Sequence, residues 1–483
     1  MNSERSVSPI KRPYPITKVP TGIMGMDAVL NGGVPKGSLT LLSGGPGTGK
    51  TMLGLEFLVK GAKADSPGIL LTFEEREADL RNYAGGFGWD IPALEEENRL
   101  TLLSARLRSE VIVSGDFDLR GILGVLRQKA DEMKAERIFI DAPDVFLRLL
   151  ENVSRERVEI HGLHEWLRDM GMTTMMSVKA RSNGDFFSHY EFLDYMADCV
   201  IHLDQRVFEQ VTTRRLRVIK YRGTSFGRNE YPFGFTNQGV WIIPVTQTNL
   251  QHQALGDCLS SGVKGLDEIL DGGYRRSSCT LITGSSGTGK TTFACSFARS
   301  TTAMGERVLY LDFEESWDAL VSCMLSPGID LKAARDSGRL RFLSAMPESQ
   351  GIEEHLIQAF LAIEAFKPKH LVLDAISACR RMGSNHAAFD YLLRLVNHCK
   401  QLGITSLLTN LTASDTEHEI TGIDLSSVID TVIILRNSEV EGEYKRELGI
   451  LKSRGRGHSN RIYQFHITER GIEIDDKESP HGK

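Results

Sequence analysis

The sequence predicts an α/β fold that is built twice, as two tandem domains that each contain a mostly parallel, twisted sheet flanked by helices. Short apolar runs such as Leu39–Leu42 and Ile138–Ile140 alternate with longer helical patterns. Apolar runs of this kind are typical of parallel strands that are buried on both faces. A second observation is an internal repeat, because Thr21–Thr51 returns as Ser261–Thr291 without a gap. Such domains carry their functional loops at the carboxyl ends of the strands.

The repeat extends well beyond that first segment. Three further motifs recur in the same order: Phe73–Glu75 with Phe313–Glu315, Arg137–Asp141 with His370–Asp374, and Lys220–Gly223 with Lys452–Gly455. Four motifs in one order indicate a duplicated domain. The predicted divisions are a loosely ordered arm over residues 1–15, a first domain over 16–247, a second domain over 248–474 and a short tail over 475–483.

The composition limits the classes of protein and of partner. The chain has 483 residues and a formal net charge of −6, so it has no general attraction for nucleic acid. No apolar run reaches the roughly 18 residues of a membrane span, and the N-terminal segment lacks the apolar core of a secretory signal. The seven cysteines contain no C-x-x-C pair, which indicates free thiols in a reducing compartment. We therefore expect a cytoplasmic protein without membrane or nucleic-acid partners.

Two glycine-rich loops carry the strongest chemical signal. Gly44–Thr51 and Gly284–Thr291 both fit G-x-x-x-x-G-K-[ST], and each lies between an apolar strand and a predicted helix, over 52–60 and 292–300. The glycines allow backbone N–H groups to surround phosphates at a helix N-terminus, where the helix dipole also favours anions. A single match could be a chance glycine-rich turn. Two matches in register and in the same context favour phosphate binding.

ATP or ADP, with Mg²⁺, is the expected ligand of each loop. Lys50 and Lys290 should reach the β- and γ-phosphates, and Thr51 and Thr291 should hold Mg²⁺. The predicted nucleotide-binding residues are Gly45, Gly47, Thr48, Gly49, Lys50 and Thr51 in the first loop and Ser285, Ser286, Gly287, Thr288, Gly289, Lys290, Thr291 and Thr292 in the second. Each domain is therefore predicted to be a RecA-like P-loop NTPase domain.

Acidic residues follow two apolar strands in each half. Asp141 and Asp374 are predicted to orient Mg²⁺ or its water, although an aspartate at a strand end is also common as a helix cap or a turn residue. Glu74-Glu75 and Glu314-Glu315 follow the strand after the phosphate-loop helix, where a carboxylate can polarise the attacking water or hydroxyl. The alternative is a solvated acidic pair that starts the next helix. Recurrence in both halves favours the catalytic interpretation.

Paired cations lie late in each half. Lys220 with Arg222, and Lys452 with Arg454, lie on strands that lead to a glycine, and alternate residues of a strand share a face. Such cations can reach the γ-phosphate of a neighbouring subunit and act as arginine fingers. A basic sheet edge that prevents aggregation is the equally weighted alternative.

Taken together, these motifs resemble those of the KaiC family, the cyanobacterial clock ATPases and autokinases. The resemblance runs from about Pro15 to Ile474 and includes the phosphate loops, the paired glutamates, both Lys-x-Arg-Gly motifs and the segment Gly223–Phe235 with its Tyr-Pro-Phe. It implies a homohexamer of two stacked rings with ATP at the subunit interfaces, in which the four paired cations act on the neighbouring subunit's nucleotide. It also permits a KaiB-like partner on the first domain.

The resemblance further implies a slow ATPase in the first domain and an autokinase in the second. The phosphate acceptors correspond to Ser426 and Ser427, and Thr421 corresponds to a third hydroxyl that relays phosphate. The aspartate that follows this hydroxyl in the family is Gly422 here, which departs from the relay. The alternative for the two serines is a helix cap before Val428.

A comparison within the sequence also separates the two domains. Aligning Asp198 with Asp430 places Asp194-Tyr195 opposite Ser426-Ser427. Only the second domain therefore offers aliphatic hydroxyls at this place. That difference agrees with a division into an ATPase and an autokinase.

Two further residues and the C-terminus are interpreted through the same resemblance. Glu314 would activate the acceptor hydroxyl, and Arg381 would assist at the subunit interface. The family carries a longer C-terminal tail that KaiA binds, whereas only Asp475–Lys483 follow Ile474 here. Control by KaiA is therefore not expected.

Two other functions stay open. A DNA-handling ATPase of the RecA or DnaB type could use Arg454–His458 as a basic loop, but no zinc knuckle, aromatic stacking strip or helix-hairpin-helix accompanies this short segment. A nucleotide-gated scaffold without kinase activity would use ATP only to switch partner binding. The favoured hypothesis is a KaiC-like ATPase and serine/threonine autokinase in clock or stress and timing signalling.

Overall fold

The computed structural model describes residues 16–105, 119–147, 153–179, 191–208, 211–244, 253–382, 384–412, 428–440 and 442–478. The chain divides into two compact units, of which the first comprises Met1–Arg206 and Arg214–Thr246 and the second comprises Val207–Thr213 and Gln247–Lys483. The predicted arm over 1–15 and the predicted junction at 247/248 lie outside the described residues.

Strands and helices alternate along the first half of the chain. Its strands are β1 (Lys18–Val19), β2 (Val34–Pro35), β3 (Leu39–Gly44), β4 (Gly68–Thr72), β5 (Leu100–Ser104), β6 (Arg137–Asp141), β7 (Thr173–Lys179), β8 (Cys199–Phe208), β9 (Val211–Tyr221), β10 (Glu230–Thr236) and β11 (Gly239–Ile242). Its helices are α1 (Met26–Val29), α2 (Lys50–Lys63), α3 (Glu77–Gly85), α4 (Ile91–Glu96), α5 (Leu119–Met133), α6 (Asp144–Leu147), α7 (Val153–Asp169) and α8 (Glu191–Met196).

Nine of these strands form one sheet, in the order β11-β10-β9-β8-β3-β7-β6-β4-β5. The six strands from β8 to β5 are parallel. By contrast, β10 pairs antiparallel with both β9 and β11. The sequence patterns did not predict this antiparallel extension. The physical reason is the short connection between the strands. Only two residues join β10 to β11, and parallel strands need a much longer crossover.

The sheet is buried on both faces, as its continuous apolar runs predict. On one face, Leu53 and Phe57 of α2 belong to one apolar cluster with Phe139 of β6. On the other face, Ile138 and Ile140 of the same strand belong to a second cluster with residues of α5 and α7. Successive residues of a strand point to opposite faces, so a strand between two helical layers must be apolar throughout.

The second half repeats this arrangement. Its strands are β12 (Cys258–Leu259), β13 (Tyr274–Arg275), β14 (Cys279–Gly284), β15 (Val308–Asp312), β16 (Leu340–Ser344), β17 (His370–Asp374), β18 (Thr405–Leu411), β19 (Thr431–Val440), β20 (Glu443–Ser453), β21 (Ile462–Thr468) and β22 (Gly471–Glu478). Its α-helices are α9 (Lys264–Ile269), α10 (Lys290–Ala303), α11 (Trp317–Leu325), α12 (Lys332–Asp336), α13 (Ile352–Phe366) and α14 (Asn385–Gln401). Two 3₁₀ helices span Pro347–Ser349 and Ile376–Met382.

The second nine-stranded sheet has the order β16-β15-β17-β18-β14-β19-β20-β21-β22. It is parallel from β16 to β19 and antiparallel beyond. Because β22 pairs with β21 as far as Glu478 opposite Tyr463, the strand continues four residues beyond the predicted domain end at Ile474. Two mostly parallel sheets flanked by helices confirm the predicted fold class. Among the residues that the structure describes, no helix has the length and hydrophobicity that a transmembrane span requires.

Candidate functional site

The first phosphate loop joins β3 to α2. Gly47 and Gly49 have φ angles of 72° and 94°, in the left-handed region that favours glycine. The Lys50 ammonium donates to the carbonyl of Gly44 at 2.8 Å and to that of Gly45 at 2.7 Å, and burial lowers the pKa of Lys50. The lysine therefore folds over the loop, where backbone N–H groups at a helix N-terminus can bind phosphate.

The second phosphate loop repeats this geometry between β14 and α10. Gly287 and Gly289 have φ angles of 75° and 97°. Lys290 donates to the carbonyls of Gly284 at 2.9 Å and Ser285 at 2.7 Å, and burial lowers its pKa as well. The matching dihedral angles and hydrogen bonds give both halves the same phosphate-binding conformation, which fits a nucleotide at each loop.

A cavity of about 360 Å³ opens at the first phosphate loop. Met52, Phe87 and Phe235 line it together with residues of the loop. Phe235 lies so close that a Cβ atom at Gly49 would be 2.3 Å from its ring, and in the second half Ile467 takes the corresponding place. Sequence reasoning missed both phenylalanines, because no local motif marks them: Phe235 lies on β10, and Phe87 lies between α3 and α4. The cavity joins a polar phosphate end to an aromatic wall that suits a nucleobase.

Asp141 ends β6 beside the first phosphate loop. Thr51 donates to its Oδ2 at 2.9 Å, and Ser177 donates to its Oδ1 at 2.6 Å. The carboxylate is buried, and burial raises its pKa. A threonine hydroxyl in contact with a carboxylate at a phosphate loop provides the oxygen ligands and water partners that Mg²⁺ prefers. The residues predicted to hold the metal therefore lie together in the first half.

Asp374 lies at the corresponding end of β17 but has a different set of partners. Thr409 donates to its Oδ1, as Ser177 does to Asp141. Tyr310 donates to its Oδ2 at 3.0 Å, and this is the oxygen position that accepts from a loop threonine in the first half. The two predicted metal sites therefore share their location but differ in the hydroxyl that is bound to the carboxylate.

The turn after β4 places the first pair of glutamates. The Thr72 hydroxyl accepts from the backbone N–H groups of Glu74 at 3.3 Å and Glu75 at 3.1 Å. Lys179, the last residue of β7, donates to both carboxylate oxygens of Glu74 at 3.1 Å. Sequence reasoning missed Lys179. Its position at the end of an apolar strand was the available signal.

The turn after β15 places the second pair. Here the carboxylate of Asp312 takes the role of Thr72 and accepts from the backbone N–H groups of Glu314 at 2.8 Å and Glu315 at 2.6 Å. Burial raises the pKa of Asp312 to about 7 and also raises the pKa of Glu315. Asp312 was not predicted as a site residue, although Leu-Asp-Phe-Glu-Glu differs visibly from Leu-Thr-Phe-Glu-Glu in the first half.

The predicted cation pairs lie at the ends of β9 and β20. Lys220 and Arg222 both donate to the carbonyl of Tyr195, at 3.2 and 2.5 Å, so the two side chains share one face. Lys452 donates to the backbone just before β19, and Arg454 lies 3.8 Å from a carboxylate oxygen of the same segment. About half of each arginine side chain is exposed. Both arginines are therefore accessible to a second chain.

The last group of predicted residues is only partly described. Arg381 lies in the 3₁₀ helix that follows β17, 3.4 Å from a carboxylate oxygen of Glu348. The predicted phosphate acceptors Ser426 and Ser427 and the relay hydroxyl Thr421 lie outside the described residues.

Comparisons with known proteins agree with this duplicated arrangement. A sequence model of the family described as KaiC ATPase matches residues 19–247 and, a second time, residues 259–479. The circadian clock protein KaiC2 of Synechocystis sp. is 35% identical over 464 residues, which cover 95% of this chain and 81% of the relative. The circadian clock oscillator protein KaiC of Parathermosynechococcus lividus is 34% identical over 464 residues, or 95% and 86% of the two chains. That of Prochlorococcus marinus strain MED4 is 35% identical over 465 residues, or 95% and 91%. Because one family model matches both halves and the relatives align along nearly the whole chain, this protein belongs to the KaiC family of ATPases.

Proposed function

We propose that the first domain, residues 16–247, hydrolyses ATP and that the second, residues 248–474, transfers the γ-phosphate of ATP to serines of a neighbouring copy. The observation that carries this proposal is the set of a loop lysine, a strand-end aspartate and adjacent glutamates that recurs at two phosphate loops. Membership of an ATPase family supports hydrolysis, and the names of the relatives support a role in biological timing. The same comparisons do not favour a DNA-handling motor.

In the first domain, the residues at the loop would divide the work of hydrolysis. Lys50 would exchange the loop carbonyls for oxygens of the β- and γ-phosphates. Thr51 and Asp141 would hold Mg²⁺, which neutralises phosphate charge when it is bound. Glu74 or Glu75 would accept a proton from water as its oxygen bonds to the γ-phosphorus. The bond between that phosphorus and the β-phosphate oxygen then breaks, so that ADP and phosphate leave.

In the second domain, the same reaction would use a serine hydroxyl in place of water. Glu314 would accept the proton of the Ser426 or Ser427 hydroxyl, whose oxygen then takes the γ-phosphoryl group while ADP leaves. Thr421 would relay phosphate between acceptors, and Arg381 would stabilise charge at the interface. The support for this step is the turn after β15, which places Glu314 as the turn after β4 places its counterpart.

An assembly of six chains would complete both sites. Lys220, Arg222, Lys452 and Arg454 would reach the nucleotide of the neighbouring chain, and the half-exposed side chains of the two arginines support this role. A KaiB-like protein is a candidate partner of the first domain. Mass measurement in solution should show a shift toward six chains when ATP and Mg²⁺ are added, and a persistent monomer would contradict the proposal.

The kinase step is tested with ATP labelled on the γ-phosphate, in the presence of Mg²⁺ and without any added protein. We expect label on the peptide that contains Thr421–Asp430, together with release of free phosphate. Ser426→Ala combined with Ser427→Ala should abolish the label and preserve phosphate release, whereas the control Ser438→Ala should change neither. Unmodified peptide in the unsubstituted chain would favour a nucleotide-gated scaffold instead.

A further inference from the structure

Lys179 lies at the place where the first phosphate loop and the first pair of glutamates meet. It is the last residue of β7, and the parallel register pairs it with Gly44, the last residue of the strand that enters the loop. Its ammonium donates to both oxygens of Glu74 at 3.1 Å. The positive charge of Lys179 also acts on Lys50, whose pKa is lowered first by burial and further by this charge. Two lysines therefore lie at the carboxyl ends of β3 and β7, close enough to influence each other electrostatically.

The second half has the same strand register beside its phosphate loop but no lysine at this position. There, β14 and β18 pair so that Gly284 lies opposite Leu411, which is the position of Lys179 in the first half. Leu411 is 43% exposed. The corresponding strand ends therefore carry a charged side chain in one half and an apolar side chain in the other, in the same register.

The Lys179–Glu74 pair contributes little to folding stability. The two side chains are 34% and 50% exposed, and water screens the attraction between exposed charges so that such ion pairs stabilise the fold only slightly. A cation beside a carboxylate that faces a phosphate loop has a clearer use in binding. A γ-phosphate near Glu74 would be repelled by the negative charge of the carboxylate. The Lys179 ammonium has three N–H donors, so it can donate to the phosphate and to the carboxylate at the same time.

We propose that Lys179 binds the γ-phosphate in the first domain and keeps Glu74 next to it, so that this site discriminates ATP from ADP. The proposal rests on the proposed hydrolysis of ATP at this site. Lys179 neither gains nor loses a proton in it. Water gives its proton to the glutamate, the new bond forms between the water oxygen and the γ-phosphorus, and the bond to the β-phosphate oxygen breaks. The ammonium offsets the charge of the phosphoryl group throughout.

The test uses the full chain with the second site disabled by Lys290→Ala and Thr291→Ala. In this background, Lys179→Met removes the charge and preserves the length of the side chain, and Lys179→Arg is the control that preserves the charge. Affinity is measured for ADP and for β,γ-imido ATP, with Mg²⁺. We expect Lys179→Met to weaken binding of the imido analogue by about tenfold or more and binding of ADP less than twofold. Lys179→Arg should restore most of the preference.

A second variant, which introduces a lysine at the corresponding position of the second half, distinguishes a loss of binding from a folding defect in Lys179→Met. With the first site disabled by Lys50→Ala and Thr51→Ala, Leu411→Lys should increase the preference of the second site for the imido analogue over ADP. Equal losses for both nucleotides in Lys179→Met, or no loss for either, would overturn the proposal. A selective loss for the analogue in a chain that releases no phosphate would support Lys179 as a γ-phosphate ligand while refuting the proposed hydrolysis.

Discussion

The loop lysines of the two halves each donate to two loop carbonyls at 2.7–2.9 Å, whereas the strand ends that face these loops differ. Thr72 and Lys179 of the first half correspond to Asp312 and Leu411 of the second. The aspartate beside each loop also changes its partner, from a loop threonine in the first half to a strand tyrosine in the second.

This difference shows which parts of a duplicated nucleotide site are free to change. The phosphate loop is held by main-chain geometry and by glycines with positive φ, so it tolerates few side chains. The residues at the carboxyl ends of the neighbouring strands point toward the site without carrying the fold. Their replacement can alter the reaction while phosphate binding stays the same. Under the proposed function, the lysine beside the glutamate belongs to the site that hydrolyses ATP, and the additional buried carboxyl belongs to the site that phosphorylates serine.

The largest expected effect is the separation of the two reactions by their glutamates. Glu74→Gln with Glu75→Gln should lower phosphate release by roughly 10²–10⁴-fold, because the attacking water loses its base, and should preserve nucleotide binding. The matched variant, Glu314→Gln with Glu315→Gln, should lower serine phosphorylation and leave phosphate release nearly unchanged. Both phosphate release and phosphopeptide content are measured in each of the two variants. Equal losses of both products would contradict separate roles.

A somewhat smaller effect is expected on nucleotide retention. Lys50→Ala and Lys290→Ala should each weaken binding at one site by roughly 10²–10³-fold, because each removes charge-assisted hydrogen bonds to phosphate. Nucleotide content after gel filtration should fall from two per chain to one in either variant and to none in the double variant. A single substitution that removes both nucleotides would show that the two sites are not independent.

The additional carboxyl of the second half should show in the pH dependence of stability. Burial raises the pKa of Asp312 from 3.8 to about 7. Between pH 4 and 7 the folded chain therefore retains a proton that the unfolded chain has released, so this group's stabilising contribution, full below about pH 4, is lost as the pH rises through 7. Asp312→Thr introduces the residue of the first half. For each chain, the quantity compared is the free energy of unfolding at pH 8 minus that at pH 4. This difference should be roughly 2–4 kcal/mol more positive in Asp312→Thr than in the unsubstituted chain.

Urea unfolding at several pH values measures this difference. Glu56→Gln is the matched control in the first half, because burial also raises the pKa of Glu56 to about 7 and the same sign applies. A difference between Asp312→Thr and the unsubstituted chain that does not change with pH would contradict a protonated Asp312.

The smallest expected effect concerns how the phosphate-loop helix packs. A Cβ atom at Gly54 would lie 2.3 Å from the ring of Phe139, whereas the second half has Ala294 and Val372 at the equivalent positions. Gly54→Ala should therefore destabilise the chain by roughly 1–3 kcal/mol. Adding Phe139→Val should recover part of that loss, because the smaller side chain leaves room for the new methyl group and reproduces the alanine and valine of the second half.

A double-mutant cycle in urea measures the coupling between these two positions. Additive losses would show that the glycine and the phenylalanine are not complementary. The control is Ala294→Gly, which should destabilise the second half by removing a buried methyl group and favouring the unfolded chain.

The sequence predicted what local pattern and duplication determine. The apolar runs predicted the parallel strands. The loop motif predicted a helix after the first loop over 52–60, and the structure has this helix, α2, with the longer range Lys50–Lys63. The position of Asp141 followed from its place at the end of an apolar run. These features depend on residues that are close in the chain, or on strand order that is common to the fold class.

What could not be predicted depends on pairing between distant segments. Lys179 reaches Glu74 only because the strand order β7-β6-β4 brings the carboxyl ends of β7 and β4 to the same edge of the sheet. Phe235 reaches the loop only through the antiparallel extension of the sheet. The raised pKa of Asp312 results from burial, which a strand-end aspartate does not reveal by its sequence. Side chains whose roles depend on register and burial therefore required the structure.

The most direct test of two sites with different chemistry measures both products in one sample. Chains with Lys50→Ala or Lys290→Ala are incubated with γ-labelled ATP and Mg²⁺, and free phosphate and the labelled peptide over Thr421–Asp430 are quantified together. Lys290→Ala should retain most of the phosphate release and lose the labelled peptide, and Lys50→Ala should lose most of the release and retain the label. Loss of both products in equal proportion from either variant would contradict a division of hydrolysis and phosphoryl transfer between the two halves.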